Sequence, residues 1–305
     1  MKPDDKMQAW SLYWADDRLQ SCVATLDQED QQKLNSIWQA FAKSLNEGAK
    51  VLDLATGNGA VPAALLSGQP GLQIDAVDYA EIDPHQTLSE ASLVASVNFH
   101  AKTDINKLPF SEHHFDAITS QYGIEYAGLE SAAAKALKHL AEGGKIALLI
   151  HHDDSEIIHS SRAKLAELKR INEPKGLIET MLAVLRGEAD FAELESQGQA
   201  YLAADFDKSQ AISGQVFAGI EQVAQLMQSD PQKARDLGVT LGLRLRSEQQ
   251  RLSEMDAAAQ TETQIQAFSK WLTDSGMDVT SLAPVYIDES SKEYLLGWLV
   301  NAEKA

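Results

Sequence analysis

The stretch KVLDLATGNGAVPAALL, residues 50–66, decides the fold of this chain. Apolar residues at 51–54, interrupted by the acidic Asp53, predict a short buried strand. Gly57 and Gly59 then predict a tight turn, because glycine adopts backbone angles that other residues avoid. The alanine- and leucine-rich run that follows predicts a helix. A strand, a glycine-rich turn and a helix are therefore expected in direct succession.

Strand and helix patterns alternate through the rest of the first half of the chain. The sequence predicts further strands at 72–77, 97–100, 115–120, 145–150, 279–287 and 294–300. Strands that alternate with helices at this spacing predict a mostly parallel sheet with helices on both faces. Pro284 cannot donate a backbone hydrogen bond, which favours an edge position for its strand. The expected fold class is α/β, a doubly wound seven-stranded sheet.

The alternation stops after the fifth strand. Between residues 155 and 275 only helical patterns occur, and the Asp230-Pro231 step is typical of a helix start. We therefore expect a sheet domain formed by residues 1–154 and 276–305, in which residues 1–48 are an N-terminal helical part. The large helical insertion at 155–275, between strands five and six, is interpreted as a lid or a substrate subdomain.

Composition limits the class of partner and the cellular compartment. The net charge of -19 over 305 residues argues against nucleic acid as a partner, because phosphate binding requires a basic surface. The single Cys22 allows no internal disulfide and fits a reducing compartment. The sequence shows neither a signal peptide nor an apolar run long enough to span a membrane. A cytoplasmic protein is expected.

The glycine-rich turn predicts a ligand site at the carboxyl ends of the strands, where parallel sheets bind their ligands. A dinucleotide fingerprint is disfavoured, because Pro62 stands where a third small residue would be needed for close helix packing. Asp53 within the strand is also unusual, since a buried carboxylate is costly without a donor or a cation.

The motif Asp53-Leu-Ala-Thr-Gly-Asn-Gly59 resembles the cofactor loop of class I S-adenosylmethionine-dependent methyltransferases, with Ala55 in place of the first glycine. The resemblance continues in order through Asp78 after the second strand and Asp104 before Leu-Pro-Phe. It implies that the last strand is antiparallel. It also implies S-adenosyl-L-methionine as cofactor and S-adenosyl-L-homocysteine as product.

The resemblance assigns roles in cofactor binding to individual residues. Asp78 matches the acidic residue that holds the ribose hydroxyls, and Asp104 matches the one beside the adenine amino group. In the first segment, the aromatic spacing of Tyr13 and Trp14 fits either one packed helix face or a cover over the ligand. The full set of expected cofactor-binding residues is Asp53, Ala55, Gly57, Asn58, Gly59, Asp78, Tyr79, Asp104, Ile105, Gln121, Tyr13 and Trp14.

Methyl transfer is an in-line displacement, so that aligning the reactants is the main requirement. An acceptor hydroxyl or ammonium group would need a base, and His151 and His152 follow the fifth strand directly. Tyr122 and Glu125, in the loop after the fourth strand, are further candidates for contact with acceptor or cofactor. A metal site at His-His-Asp-Asp is disfavoured, because adjacent strand residues point in opposite directions, and no metal is expected.

Methyl transfer to a small-molecule acceptor is the first hypothesis, with the O, N or C nucleophile left open. The Asn/Asp-Pro-Pro-Tyr loop of enzymes that methylate planar amino groups is absent from the sequence, which argues against such acceptors. The alternatives are a protein or RNA methyltransferase, and a non-catalytic interaction protein that forms a homodimer through residues 155–275.

Overall fold

The computed structural model of the protein describes residues 3–22, 28–204, 212–289 and 292–305. The chain divides into two compact units, one formed by Met1–His159 together with Met255–Ala305 and the other by Ser160–Glu254. Residues 205–211 of the predicted insertion lie outside the described residues.

The first unit contains a seven-stranded sheet in the order β3-β2-β1-β4-β5-β7-β6. Its strands are β1 (Lys50–Leu54), β2 (Gln73–Val77), β3 (Asn98–His100), β4 (Phe115–Gln121), β5 (Leu140–His151), β6 (Met277–Glu289) and β7 (Lys292–Lys304). Strands β1 to β5 are parallel, whereas β7 runs antiparallel to both of its neighbours. The predicted fold class is confirmed, and the strand that contains Pro284 lies at the edge.

The described helices are α1 (Pro3–Trp14), α2 (Gln28–Lys43), α3 (Ala60–Gly68), α4 (Pro84–Thr87), α5 (Leu129–Ala136), α6 (Glu156–Ile171), α7 (Leu177–Arg186), α8 (Phe191–Ala203), α9 (Ile212–Ser229), α10 (Pro231–Ala258) and α11 (Glu262–Asp274). The Asp230 side chain accepts a hydrogen bond from the Lys233 amide at 3.1 Å, as the predicted helix start requires.

Alternation along β1 separates two hydrophobic cores. Leu52 and Leu54 join one cluster, in which α5 and α11 pack against the sheet, whereas Val51 joins another with α2 and α3. Asp53 shares the second face with Val51. The strand is thus apolar on both sides except at Asp53, and helices cover both faces of the sheet.

Helix α11 belongs to the sheet unit, although its residues fall within the predicted insertion 155–275. Ile265, Phe268 and Leu272 recur at helical spacing and are buried in the sheet core. The second unit is helical and has its own core, which includes Ile178, Met181, Val216, Ile220 and Val223. No helix among the described residues has the length and apolar character to cross a membrane.

The contact between α2 and α3 predicts a sensitive glycine. A Cβ atom on Gly68 would lie 2.8 Å from the Cα and carbonyl oxygen of Gln39, which are backbone atoms that cannot rotate away. We expect Gly68→Ala to lower the free energy of unfolding by about 1–3 kcal/mol, measured by urea unfolding. The control is Gly71→Ala, whose Cβ would meet Glu47 at an ordinary 3.5 Å. Equal effects of the two substitutions would contradict the close approach.

Candidate functional site

A cavity of about 350 Å³ opens where the loops after β1, β2 and β4 meet. Among the residues predicted from the sequence, those that line it are Trp14, Asp53, Ala55, Asp78, Tyr79, Asp104, Ile105, Gln121 and Tyr122. Gly57, Asn58, Gly59, Tyr13, Glu125, His151 and His152 lie outside this lining. The structure thus brings the three predicted carboxylates to one cavity, whereas His151 and His152 do not line it.

The glycine turn shapes the first loop of the cavity. Gly57 has a φ of 55°, and a Cβ atom there would lie 2.3 Å from the Trp14 ring. The Asn58 side-chain amide donates to the carbonyls of Trp14 at 3.1 Å and Arg18 at 2.8 Å. Asn58 therefore fixes the N-terminal segment onto the loop, and glycine at position 57 leaves room for the indole ring.

Ala55 has a backbone conformation that glycine adopts more readily than alanine does. Its φ is 53°, a left-handed conformation that is unfavourable for a residue with a side chain. The loop after β4 makes room for the extra methyl group, because a Cβ atom on Gly123 would lie only 2.4 Å from the Cβ of Ala55. The departure from the family motif is thus matched by a glycine on the facing loop.

Asp78 connects the loops after β1 and β2. One carboxylate oxygen accepts from the Gly57 amide at 2.8 Å, and the other accepts from the Ala80 amide at 2.8 Å. Burial raises the pKa of Asp78 to about 6, although these two hydrogen bonds lower it. The carboxyl is held rigidly at the cavity wall and is only weakly acidic.

Asp53 is the second buried carboxyl at this wall. The Thr119 hydroxyl donates to it at 2.7 Å. Burial raises the pKa of Asp53 to about 7, the hydroxyls of Thr56 and Thr119 lower it, and the charge of Asp78 raises it further. Two carboxyls that are unfavourable as anions therefore share the cavity wall, where a cationic ligand would stabilise their charged forms.

Asp104 begins the short turn Ile105–Lys107 after β3. Its carboxylate accepts from the Asn106 amide at 2.9 Å, so that the side chain is fixed as a cap of that turn. Asp104 and Asn106 both line the cavity. A cap of this kind holds the carboxylate at a defined place while leaving lone pairs free for a donor on a ligand.

The carboxyl groups that line the cavity fit S-adenosylmethionine, the cofactor that the sequence resemblance implies. That molecule carries an ammonium and a sulfonium charge, two ribose hydroxyls and an adenine amino group. The cavity presents the carboxyls of Asp53, Asp78 and Asp104, of which two are destabilised as anions by burial. A ligand with positive charge and hydroxyl donors would stabilise the charged forms of these carboxyls and donate hydrogen bonds to them.

His151 is fully buried and forms a pair with Glu125. Its Nδ1 lies 2.7 Å from Glu125 Oε1, which also accepts from the His151 backbone amide at 3.0 Å. On the other side of the ring, Nε2 lies 3.5 Å from Cys22 Sγ. Burial lowers the pKa of His151, but the hydrogen bonds and charges of Cys22 and Glu125 outweigh it and raise the value to about 9.

His152 points away from the cavity. Its ring stacks on Trp298 at a centroid distance of 4.5 Å, and its Nδ1 accepts from the Asp154 amide at 2.9 Å. Adjacent strand residues face opposite sides of a sheet, so that His151 and His152 cannot share one site. Tyr122 lies at the cavity, and its hydroxyl donates to the Leu296 carbonyl at 3.3 Å.

Sequence reasoning missed several residues that line the cavity, among them Lys6, Leu19 and Cys22. The Trp10 ring lies 5.4 Å from that of Tyr126, which extends the aromatic wall begun by Trp14. From the sequence alone, Cys22 indicates only a reducing compartment. Tyr13 packs edge-on against Trp14 at 5.0 Å and supports that wall from outside the lining.

Comparison with known proteins shows what part of the chain is similar to other sequences. Residues 51–144 match a family model described as a methyltransferase domain. The ubiquinone/menaquinone biosynthesis C-methyltransferase of Shewanella pealeana is 30% identical over 128 residues, which cover 38% of this chain and 49% of that protein. The protein of the same name from Azotobacter vinelandii is 31% identical over 124 residues, with coverages of 38% and 49%. This chain spans about half the length of the curated relatives that it matches.

The solved structures that are similar to this chain include an S-adenosylmethionine-dependent methyltransferase from Methanosarcina mazei. It is 12% identical to this chain, with a TM-score of 0.43, and the match covers 87% of this chain and 96% of that one.

The facing positions 55 and 123 predict a rescue between two substitutions. Gly123→Ala introduces a methyl group 2.4 Å from that of Ala55, and we expect it to lower the free energy of unfolding by about 1–3 kcal/mol. Adding Ala55→Gly removes the facing methyl group and relaxes the positive φ, so that the double variant recovers most of this loss. Urea unfolding of both variants and of Ala55→Gly checks the coupling. Strictly additive effects would contradict it.

The buried carboxyls predict how stability depends on pH in the absence of ligand. Between the unfolded pKa of about 4 and the folded values of Asp53 and Asp78, the unfolded chain has released these protons and the folded chain has not. Rising pH then favours unfolding, so that their contribution is fully present below about pH 4 and lost by about pH 7. Urea unfolding between pH 4 and pH 8 measures the slope. Asp53→Asn should flatten it, and an unchanged slope would contradict the shift.

Proposed function

We propose that this protein, whose residues 51–144 form a class I S-adenosylmethionine-dependent methyltransferase domain, transfers a methyl group to a small-molecule acceptor bound in the described cavity. S-adenosylmethionine is the cofactor of this domain and supplies the methyl group, leaving S-adenosylhomocysteine as product. The observation that carries the proposal is the convergence of Asp53, Asp78 and Asp104 on one cavity that is also lined by aromatic side chains.

Each carboxyl has a part in holding the cofactor. Asp78 would accept from the ribose hydroxyls, since its oxygens keep lone pairs beyond those used by the Gly57 and Ala80 amides. Asp104, fixed by the Asn106 amide, would accept from the adenine amino group. Asp53, which is part of the cavity wall, would stabilise the positively charged end of the cofactor. These contacts fix the position from which the methyl group leaves.

The acceptor would lie against the aromatic wall formed by Trp10, Trp14 and Tyr126. Apolar rings exclude water and favour a neutral or cationic hydrophobic metabolite over a polyanion, as the net charge of -19 also does. Holding the nucleophile in line with the transferred carbon is the main contribution to rate, on the order of 7–11 kcal/mol for well-aligned reactants.

A proton-accepting role for His151 stays a prediction, as do the predicted roles of His152, Tyr122 and Glu125. At a pKa of about 9, His151 is a cation near neutral pH and does not accept a proton in that form. The lid and the homodimer predicted for residues 155–275 also stay predictions. Because the matched domain ends at residue 144, we propose that this segment contributes to the choice of acceptor.

Cofactor binding tests the proposal directly. Titration calorimetry should detect S-adenosylmethionine binding, and Asp78→Ala should weaken the affinity about 10- to 100-fold, because it removes a charged acceptor. Asp75→Asn is the matched control, since Asp75 lies on β2 just before Asp78, contacts His100 and does not line the cavity. The absence of affinity in the unmodified protein, or equal affinity in Asp78→Ala, would refute the proposed site.

Turnover is the second measurement. The release of S-adenosylhomocysteine, followed by mass spectrometry with phenolic, amine and carbon acceptors in turn, identifies the acceptor class. Formation of the product with one class, and its loss in Asp78→Ala at subsaturating cofactor, is the expected result. Binding of the cofactor with no release of product from any acceptor would favour the non-catalytic alternative.

A further inference from the structure

A second reactive group opens into the same cavity. Cys22 Sγ lies 3.5 Å from His151 Nε2, and His151 Nδ1 lies 2.7 Å from Glu125 Oε1. The hydroxyl of Ser21 donates to the sulfur at 3.6 Å. A thiol, an imidazole that contacts it and a carboxylate that orients the imidazole form the arrangement that activates a nucleophile.

Access to this cluster from the cavity is through the sulfur. Cys22 lines the cavity and is half-buried, whereas His151 has no exposed surface and lies outside the lining. Glu125 is also buried and lies outside the lining. A molecule in the cavity therefore meets the thiol, while the imidazole and the carboxylate stand behind it.

The charges around the sulfur favour the thiolate. An imidazole that lies 3.5 Å from the sulfur and is held by a carboxylate can accept the thiol proton, and the imidazolium so formed stabilises the thiolate. Burial raises the pKa of Tyr122 well above its usual value, and the negative charges of Cys22 and Glu125 add to this, so that the phenol stays neutral. Lys6, Asp53, Asp78 and Asp104 are the other charged side chains that line the cavity.

We propose that Cys22 is a nucleophile, held as a thiolate by His151 and Glu125, that adds to conjugated carbonyl compounds bound in the cavity. The chemistry of the wall supports this class of ligand. A thiolate is a soft nucleophile that reacts with the β-carbon of an α,β-unsaturated carbonyl, and the rings of Trp10, Trp14 and Tyr126 suit a planar conjugated molecule.

The addition step needs only a solvent proton in addition to the thiolate and the ligand. The sulfur electron pair forms a bond to the β-carbon, and the electron pair of the carbon–carbon double bond shifts to give an enolate. Because the imidazole of His151 is buried behind the sulfur, a proton from solvent then adds to the α-carbon. Glu125 stays bonded to Nδ1 throughout and acts as a positioning residue. The reverse sequence releases the ligand unchanged.

Alkylation by N-methylmaleimide, itself a conjugated carbonyl compound, tests the proposal. Cys22 is the single cysteine of the chain, so that a change in intact mass reports on this residue, and Cys22→Ser should give none. Between pH 8 and pH 6 the rate for an ordinary thiol such as glutathione falls about 80-fold, following its thiolate fraction. We expect the rate for the protein to change less than about threefold.

Two variants separate activation from mere exposure. His151→Gln should restore the steep pH dependence of an ordinary thiol, whereas His152→Gln, which changes the neighbouring histidine outside the cluster, should leave the flat profile intact. Thiolate absorbance at 240 nm, compared with Cys22→Ser, gives the same information without a reagent. If the unmodified protein follows the steep glutathione profile, or His151→Gln keeps the flat one, the proposal is wrong. The assay contains no cofactor, so that its outcome is independent of methyl transfer.

Discussion

The carboxylate of Asp78 joins the two loops that follow β1 and β2. By accepting from the amides of Gly57 and Ala80, it fixes the turn after β1 relative to the turn after β2. Gly57, which donates to Asp78, has a left-handed backbone conformation, and the Trp14 ring packs on the glycine where a Cβ atom would otherwise lie. The cavity, its acidic wall and its aromatic wall all depend on this junction.

Burial of the carboxylates of Asp78 and Asp53 lowers the stability of the ligand-free fold. A buried anion without a cation is unfavourable, and both side chains respond with a raised pKa. The same cost becomes a source of selectivity when a positively charged ligand enters, because its binding stabilises charges that are already in place. In this site the carboxyls that are destabilised as anions are also those that we propose to hold the cofactor.

Much of the sheet and half of the site could be predicted from sequence, because both follow from local patterns. The alternation of strand and helix patterns predicted a mostly parallel sheet, and the resemblance to a known cofactor-loop motif predicted roles for Asp53, Asp78 and Asp104. The sequence could not reveal that Gly123 accommodates the methyl group of Ala55, because the two loops meet only in the folded sheet. The different environments of His151 and His152 likewise follow from the sheet pleat and from Trp298 on β7, a strand that pairs with β5 but comes much later in the sequence.

The pairing of Cys22 with His151 spans 129 positions of the chain, and the bond from Asn58 to the Trp14 carbonyl spans 44. Contacts between residues so far apart form only after a large loop has closed, and that closure has an entropic cost that local structure does not offset. The pairing of β5 with β7 spans even more of the chain, from Lys145 to Glu303. The contact between Cys22 and His151 therefore exists only in the folded chain, and ordering the N-terminal segment on the sheet is part of the entropic cost of forming it.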